Sequence, residues 1–327
     1  MVLSSMPKPA WLGEDSPESD VVLSARVRIM RNLRGRKFPH AASAEESVEA
    51  MQRIVEAARA AGLELEANLA ITQAERDYLV GCRLVSPDFE WSKPGRALLT
   101  DRSGAISLMI NEEDHLRVQA LAGGWRFREA EAMAERCIAG LERRLEFAWS
   151  PAFGYLSASP YNTGHGRRLS AMFHLIGCAH RRKLGTVVSA LGVRGLTVRG
   201  LFGESSRAVG AFTQVSYVGS LESEFLGACD YLIRSEREAR ALVSREEIGR
   251  KGGEALDFAR RSVNLELADA LRVLAWLRWA SYLEDARFPW SARTIDAALT
   301  SMQVRAEPRD GSANQERARS LRAALGL

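Results

Sequence analysis

The sequence predicts a mixed α+β domain that extends to about residue 248, followed by a small all-helical domain. Short β-branched segments alternate with helix-like segments up to that point, whereas Ala, Leu and Arg recur at helical spacing beyond residue 254. The glycine-rich segment Gly249-Arg-Lys-Gly-Gly253 lies between the two parts and has the composition of a linker. The predicted units are therefore an N-terminal tail over 1–19, the α+β domain over 20–248 and the helical domain over 254–327.

The composition is that of an ordinary globular protein, with 327 residues of which 46% are hydrophobic and 26% charged. The net charge of +4 is small and only 7% of residues are aromatic, so no nucleic-acid partner is indicated. No segment has the length and apolarity of a membrane span or a secretory signal, so we expect no membrane association and a cytoplasmic location. Four scattered cysteines without a Cys-x-x-Cys pair also favour a reducing compartment: Cys82, Cys137, Cys178 and Cys229.

Periodicity and capping signals predict the elements of the first half of the chain. Residues 21–29 are β-branched and predict a strand with Arg26 and Arg28 on one face. Ser43-Ala-Glu-Glu46 resembles a capping box and predicts a helix that ends near Gly62. The other predicted elements are a helix over 72–82, strands over 98–100 and 105–110, and a helix over 128–147.

The second half is predicted to complete the α+β domain and then to contain only helices. The loop Asn162-Thr-Gly-His-Gly166 separates a predicted strand over 153–159 from a predicted helix over 168–176. Further predicted elements are strands over 186–191, 196–201 and 212–218, and helices over 223–247, 255–283, 292–302 and 314–327.

Three consecutive acids follow an apolar run in the segment Asn111-Glu-Glu-Asp-His-Leu-Arg117. Acids at the end of a buried strand are costly unless cations lie opposite them, and an exposed acidic turn is the simpler interpretation. A site is favoured by the segment from Arg26 to Lys37, which holds six basic residues and no acid. A strand edge protected by cations is the alternative explanation for that segment.

Arginines in separated short segments suit a polyphosphate site, because guanidinium groups bind phosphate oxygens bidentately. They are Arg26, Arg28, Arg117, Arg168 and Arg199. Phosphoryl transfer depends mainly on positioning and charge neutralisation, normally with Mg²⁺.

Two carboxylates could serve the acceptor of the phosphoryl group. A guanidinium nucleophile has to lose a proton as it attacks, although its pKa lies far above neutral. Glu113 and Glu204 on either side could hold the guanidinium, and one of them could take the proton. For the segment Arg199-Gly-Leu-Phe-Gly-Glu204 alone, a hairpin turn with solvated charges is the competing interpretation.

Four segments resemble, in order and spacing, the phosphagen (ATP:guanido) phosphotransferase family, and most of all its bacterial protein-arginine kinase branch. The segments are Ser24-Ala-Arg-Val-Arg28, Asn111-Glu-Glu-Asp-His-Leu-Arg117, Ser159-Pro-Tyr-Asn-Thr-Gly-His-Gly-Arg-Arg168 and Arg199-Gly-Leu-Phe-Gly-Glu204. The resemblance implies an antiparallel sheet flanked by helices with a small C-terminal helical domain. It also implies ATP with Mg²⁺ bound through the nucleotide, and phosphorylation of exposed arginine side chains of proteins. As partners it implies a second copy of the chain, a zinc-finger activator and a Clp-type protease.

By position, the resemblance gives Glu113 the role of base and Glu204 that of gripping the substrate guanidinium, with Ser159 at the place of the family's reactive cysteine. The residues that it places around the nucleotide are Ser24, Ala25, Arg26, Val27, Arg28, Arg83, Arg117, Arg168, Leu169, Ser170, Ala171, Met172, Arg199, Gly200, Leu201, Phe202, Gly203 and Glu204.

The sequence also departs from the family pattern. Ser159 can form hydrogen bonds but cannot act as a thiolate, and Arg83 stands where the branch has a histidine. His165 and Arg167 replace smaller or uncharged residues, and we expect them to add bulk and charge near the phosphates. Of the branch's phosphoarginine-sensing pattern, Arg322 is present but the first Arg and the Asp are not.

These departures leave two alternatives to a protein-arginine kinase. One is a regulator that binds nucleotide or phosphoarginine without catalysis, and the other is a kinase for a small guanidino metabolite. A metal site at His174, Cys178 and His180 lacks a fourth ligand at suitable spacing, so we predict no metal site there.

Overall fold

The computed structural model describes residues 6–12, 16–68, 71–192, 195–201, 209–302 and 311–327. Its centre is an eight-stranded sheet in which neighbouring strands run antiparallel. Helices cover both faces of this sheet, and the C-terminal region is helical. The predicted fold class, a large antiparallel sheet flanked by helices with a helical C-terminal region, is confirmed.

The strands are β1 (Val22–Arg31), β2 (Glu66–Asn68), β3 (Ala97–Thr100), β4 (Ile106–Ile110), β5 (Leu116–Gly123), β6 (Trp149–Ser150), β7 (Gly154–Tyr155), β8 (Arg167–His174), β9 (Leu196–Gly200) and β10 (Phe212–Tyr217). The order across the large sheet is β2-β3-β4-β5-β1-β8-β10-β9, so β1 lies in its interior. Strands β6 and β7 form a separate two-stranded ribbon.

The helices are α1 (Ala44–Ala60), α2 (Gln73–Gly81), α3 (Phe127–Glu142), α4 (Ile176–His180), α5 (Leu184–Ser189), α6 (Glu222–Ala241), α7 (Arg245–Arg261), α8 (Leu267–Ala280), α9 (Ala292–Ser301) and α10 (Gly311–Leu325). None of the helices in the described ranges combines the length and the apolarity that crossing a bilayer would require.

The central strand β1 shows how the two faces of the sheet differ. Ala25, Val27 and Ile29 pack into a core that includes residues of α1, α3 and α6. Arg26 and Arg28 lie on the opposite face, since successive side chains of a strand alternate. A second core, which includes residues of α2 and α7 to α10, covers that opposite face beside the arginines.

The N-terminal segment 1–19, predicted to be an extended or loose tail, packs against this second core where it is described. Trp11 is buried, and its Nε1 donates to the carbonyl oxygen of Cys82 at 3.0 Å. This long-range contact fixes the described part of the segment to the rest of the fold.

The predicted helix starts of the first half are confirmed. Ser43 and Thr72 each close a capping box, with Glu46 and Glu75 as the respective third residues, and α1 and α2 follow them. The predicted strands around 21–29, 98–100, 105–110, 196–201 and 212–218 correspond to β1, β3, β4, β9 and β10.

Three predicted elements between residues 153 and 191 are wrong. The predicted helix over 168–176 is largely strand β8, whose residues alternate between the two faces of the sheet. The predicted strand over 186–191 overlaps helix α5, from which Val187 packs into the first core. Of the predicted strand over 153–159 only β7 pairs, and side-chain hydrogen bonds hold the residues that follow it.

The C-terminal helices are divided differently from the prediction. The predicted helix over 223–247 is interrupted after Ala241, and α7 begins behind Ser244, whose side chain accepts from the amide of Glu247. The segment 249–253, predicted to be a linker, lies inside α7. The predicted helix over 255–283 is interrupted between α7 and α8, whereas those over 292–302 and 314–327 correspond to α9 and α10.

Candidate active site

The acidic segment forms the turn between β4 and β5. Asn111 adopts a left-handed backbone conformation with φ of 54°, and its amide donates to the carbonyl oxygen of His115 at 3.0 Å. The side-chain Nδ2 of Asn111 donates to the carbonyl oxygens of Ser47 and Gly95 at 2.7 and 2.8 Å. The turn is thereby fixed to α1 and to the loop before β3, which holds the following acids in defined positions.

Asp114 points inward from this turn and organises the loop after β7. Its carboxylate accepts from Asn32 Nδ2 at 2.6 Å, from Ser157 Oγ at 2.7 Å and from the amide of Ala158 at 2.8 Å. Asp114 is only 3% exposed, so these three donors compensate for the cost of burying its charge. The loop that carries Ser159 is therefore attached to the acidic turn.

His115 is a neutral structural residue of the same turn. Its Nδ1 accepts from the amide of Leu33 at 3.3 Å, and its own amide donates to Asn32 Oδ1 at 2.9 Å. Burial lowers the pKa of His115 to about 4, against a partly opposing effect of Asp114.

Glu113 is the acid of the turn that faces the solvent-accessible site. Its side chain is exposed and receives a hydrogen bond from Ser159. Partial burial and the neighbouring charge of Asp114 raise the pKa of Glu113, while Ser159, Arg168 and Arg28 act in the opposite direction. Glu112, in contrast, forms an ion pair with Arg117.

The predicted arginines share one face of the sheet because of its register. Arg28 on β1 lies opposite Arg168 on β8, and Arg26 lies opposite Ser170 on the same pair of strands. Arg117 on β5 and Arg199 on β9 extend this row of cations to either side. Like charges placed directly opposite one another destabilise a sheet, so this arrangement needs a compensating anion.

All of these side chains line one cavity of about 350 Å³. Its described lining includes six arginines but only two acids, Glu113 and Asp88. The arginines are Arg26, Arg28, Arg83, Arg117, Arg168 and Arg199. The convergence expected for the five separated arginines is therefore observed, and Arg83 joins them.

The cations of this cavity are poorly compensated. Burial, followed by the charges of neighbouring arginines, lowers the pKa of Arg26 and of Arg28 well below the ordinary value. Burial also lowers the pKa of Arg83 and of Arg117 to about 10. Among the described residues, buried guanidinium nitrogens without a hydrogen-bond partner remain on Arg26, Arg28, Arg83, Arg117 and Arg168. Such groups favour an anionic ligand with several oxygen atoms.

Not every residue predicted around the nucleotide can reach the cavity with its side chain. Ala25, Val27, Leu169 and Ala171 belong to the core on the opposite face of the sheet. The side chains of these four residues therefore cannot contact a nucleotide in the cavity. The matching segments are strands, in which alternate side chains face away from the cavity.

The other predicted residues that the structure describes lie on or near the cavity face. Ser24 Oγ accepts from Arg83, and Ser170 Oγ accepts from Arg28 Nη2 at 3.5 Å, so both lie beneath the arginines. Met172 packs into the second core, Gly200 is buried at the end of β9, and Leu201 lines the cavity. Phe202, Gly203 and Glu204 lie outside the described residues.

Two of the departures from the family pattern lie elsewhere than expected. Arg167 pairs with Ile29 in the register, lies on the opposite face and forms ion pairs with Glu131 and Glu222. The expectation that Arg167 adds charge at the phosphates is therefore wrong. His165 is exposed and is not part of the described lining of the cavity. In α10, Arg322 donates to the carbonyl oxygen of Ser262.

The potential ligands around His174 are also explained by packing. His174 lies on β8, not in a helix, and its ring stacks on Phe212 with 5.0 Å between ring centroids. Burial and the charges of Arg278 and Arg240 lower its pKa well below the ordinary value. Two adjacent guanidinium groups disfavour a metal cation at this position.

Sequence reasoning missed several polar residues of the site. Asp114 and Asn32 carry the hydrogen bonds that join the acidic turn to the loop of Ser159. Gln119 and Gln214 line the cavity between the arginines, and Gln214 Oε1 accepts from Arg26 Nη2 at 2.8 Å. Gln119 could have been found, since it stands two residues after Arg117 on the same strand and thus on the same face.

Comparison with known proteins gives the family of the chain. A model of the C-terminal catalytic domain of ATP:guanido phosphotransferases matches residues 44–227. The chain is similar to the protein-arginine kinase of Moorella thermoacetica, with 33% identity over 85% of this chain and 84% of the relative. It is also similar to that of Pelotomaculum thermopropionicum, with 35% identity over 74% of this chain and 69% of the relative.

Solved structures share the fold. A lombricine kinase superposes with a TM-score of 0.58 and 23% identity over 73% of this chain and 74% of its own. A duplicated taurocyamine kinase from Schistosoma mansoni superposes with a TM-score of 0.62 and 21% identity over 71% of this chain and 36% of its own. The family match and the curated relatives together show that this chain belongs to the ATP:guanido phosphotransferase family, whose members are ATP-dependent kinases.

Proposed function

We propose that this protein is a protein-arginine kinase, which transfers the γ-phosphoryl group of ATP to arginine side chains of proteins. The observation that carries the proposal is the single cavity in which six arginines converge while Glu113 stands at its edge. The naming of the curated relatives supports protein arginine as the acceptor.

The arginine face is suited to the triphosphate. Each of five of its arginines keeps at least one buried guanidinium nitrogen without a hydrogen-bond partner among the described residues, and phosphate oxygens would supply those partners. Mg²⁺, when bound through the nucleotide, would neutralise part of the phosphate charge. Arg26, Arg28, Arg83, Arg117, Arg168 and Arg199 would orient the phosphates and stabilise the charge that spreads over the γ-phosphoryl oxygens.

Glu113 serves the acceptor end of the reaction. One nitrogen of the substrate guanidinium attacks the γ-phosphorus, the bond from that phosphorus to the β-phosphate oxygen breaks, and ADP leaves. The nitrogen gives its proton to Glu113, which has to be ionised to accept it. The raised pKa of Glu113 makes it a stronger base than an ordinary glutamate while the nearby arginines still favour its charged form.

The second carboxylate remains part of the proposal. Glu204 follows β9 in the chain, and Arg199 on β9 and Leu201 directly after it line the cavity. We propose that Glu204 holds the acceptor guanidinium from the side opposite Glu113, as the family resemblance implies.

The decisive experiment incubates the protein with Mg-ATP and casein and then searches for acid-labile phosphoarginine by mass spectrometry. We expect phosphoarginine on casein. Intact ATP binding without product would support a non-catalytic regulator, and product on free arginine alone would support a metabolite kinase.

Replacement of the base gives a sharper test of the mechanism. Glu113→Gln keeps the shape of the side chain but removes its proton affinity, so we expect phosphorylation to fall by at least about a hundredfold. The affinity for ATP should stay within about twofold, because the arginines bind the phosphates. Turnover near that of the unmodified protein would exclude Glu113 as the base.

The remaining assignments are proposals that rest on the family resemblance. They are a cytoplasmic location, in which the four free cysteines would remain reduced, a homodimer, a zinc-finger activator and a Clp-type protease as partners.

A further inference from the structure

Three large aromatic side chains lie exposed in the segments that directly precede and follow Ser159. Trp149, Phe153 and Tyr161 are 58%, 67% and 85% exposed. They occupy the ribbon β6–β7 and the 3-10 helix Pro160–Asn162 that follows it. We call these three residues the aromatic rim.

The aromatic rim is attached to the catalytic turn by hydrogen bonds. The ribbon is joined to the loop after Ser159, since Tyr155 and Gly164 exchange backbone hydrogen bonds of 2.8 and 3.0 Å. Between them, Ser157 and Ala158 donate to Asp114, the neighbour of Glu113. The rim therefore lies on an ordered segment that is attached to the neighbour of Glu113, and none of its three residues is in the described lining of the arginine cavity.

On the basis of the proposed function, we propose that the aromatic rim binds the polypeptide on either side of the acceptor arginine and prefers apolar flanking residues. An acceptor guanidinium held at Glu113 projects its own main chain out of the cavity towards this surface. Tyr161 follows Ser159 by two residues, so it lies at most about 7 Å further along the chain. A small guanidino metabolite would be contained within the cavity and would leave the rim uncovered.

The area of the rim fits a short peptide better than a second copy of the chain. Three aromatic side chains with these exposures offer on the order of 400 Å² of surface. A stable protein–protein interface buries about 800 Å² on each partner, which is roughly twice as much. Aromatic side chains are also the residues that contribute most to the centres of peptide and protein interfaces.

Three acceptors distinguish an effect of the rim on peptide binding from an effect on phosphoryl transfer. They are a peptide with one arginine between leucine and phenylalanine residues, the same peptide with serine and glycine as neighbours, and N-acetyl-arginine amide. For the unmodified protein we expect kcat/KM for the apolar peptide to exceed that for the polar peptide at least tenfold. In Phe153→Ser and Tyr161→Ser the ratio should fall to within about threefold of one, while the rate with N-acetyl-arginine amide changes by less than about twofold.

The matched control is Phe258→Ser on α7, which removes an aromatic side chain that is 45% exposed and far along the chain from the rim. It should leave the peptide preference unchanged. Equal rates on both peptides for the unmodified protein would overturn the inference, and so would an undiminished preference in the rim variants. A uniform loss on all three acceptors would overturn it too, since the rim would then affect catalysis rather than docking.

The same variants distinguish a failure of the proposed function from a failure of the rim proposal, and they also test for a second copy of the chain at the rim. Phosphoarginine on none of the acceptors would contradict the proposed function itself, whereas a missing peptide preference with active protein contradicts only the rim. A change of molecular mass in the rim variants but not in Phe258→Ser, measured by analytical ultracentrifugation, would identify a second copy as the occupant and overturn the peptide proposal.

Discussion

Ser159 and Glu113 come from different loops and share a hydrogen bond because Asp114 holds those loops together. The serine takes the place at which the family carries a reactive cysteine. A hydroxyl retains the hydrogen bond to the carboxylate but has none of the nucleophilicity of a thiolate. A cysteine at position 159 could act both as a hydrogen-bond donor and as a thiolate nucleophile, whereas Ser159 retains only the first of these roles.

The hydrogen bond from Ser159 should set the acidic limit of activity. As the proposed base, Glu113 has to be ionised to accept the proton. Its pKa is raised from 4.5, so kcat/KM should decline at a higher pH than for an ordinary glutamate. Ser159→Ala removes an interaction that lowers this pKa, so the decline should begin at a still higher pH. A pH–rate profile of both proteins would test this, and their rates should converge at alkaline pH. An acidic limb at the same pH in both would show that Ser159 does not act on Glu113.

The presence of serine rather than cysteine at position 159 allows a prediction of the response to thiol reagents. All four cysteines are buried, and burial raises the pKa of Cys82, Cys137 and Cys178 to about 12 and the pKa of Cys229 well above its ordinary value. Iodoacetamide should therefore leave the unmodified protein active, whereas Ser159→Cys should lose most of its activity under the same conditions. Ser220→Cys, at an exposed position, should be alkylated without loss of activity. Rapid inactivation of the unmodified protein by iodoacetamide would contradict the prediction that none of its four cysteines is reactive.

The roles of single residues were predictable where the residues belong to a sequence motif, and were not predictable where the role depends on contacts with residues remote in sequence. Arg28, Arg168 and Glu113 stand in recognisable segments, and the structure brings them to one cavity. Asp114 stands in the same segment, yet its role depends on donors from Asn32 and Ser157 that are remote in sequence. Arg167 follows a loop like its neighbour Arg168, but only a strand assignment reveals that the two side chains face opposite ways.

Among the elements, β8 and α7 show how local composition misled the prediction. Residues 168–176 contain good helix formers, but pairing with β1 and β10 on both sides imposes an extended conformation. The segment 249–253 is rich in glycine, but its backbone is helical and Gly252 lies against Ala280 and Phe288. Glycine here permits the close approach of α7 to its neighbours and does not mark a flexible connection.

Two adjacent glycines of α7 distinguish a helix from a linker. A Cβ at position 252 would lie 2.7 Å from Ala280 Cβ, so Gly252→Ala should lower the free energy of unfolding by about 1–3 kcal/mol. A Cβ at position 253 meets nothing within 4 Å, so Gly253→Ala should raise it by about 0.5–1 kcal/mol. Urea unfolding of both variants would measure these opposite signs. Equal small effects at both positions would favour a linker.

Over the whole molecule, the arginine face concentrates positive charge in a structure whose net charge is only +4. Surface arginines such as Arg34 and Arg237 lie beside acids and form ion pairs with Glu146 and Asp20, respectively. The cavity instead keeps six arginines beside two acids in its described lining. Such an arrangement lowers the stability of the free protein, and this loss is recovered when an anion binds. ATP binding is thereby coupled to the stability of the whole fold.

This coupling predicts a trade-off at Arg28, which lies beside Arg168 and whose pKa is lowered by burial and by its neighbours. Arg28→Met removes the repulsion but retains apolar packing, so the protein without ligand should gain about 1–2 kcal/mol in stability. Its affinity for ATP should fall at least tenfold, which at saturating ATP reduces the stabilisation by the ligand by about 1.4 kcal/mol. Thermal unfolding at low salt, with and without Mg-ATP, measures both quantities. Arg34→Met, which breaks only an exposed pair 3.5 Å long, should change neither by more than about 0.5 kcal/mol. A destabilised Arg28→Met protein with an unchanged response to ATP would mean that Arg28 supports the sheet and does not bind phosphate, which would remove the central member from the proposed triphosphate site.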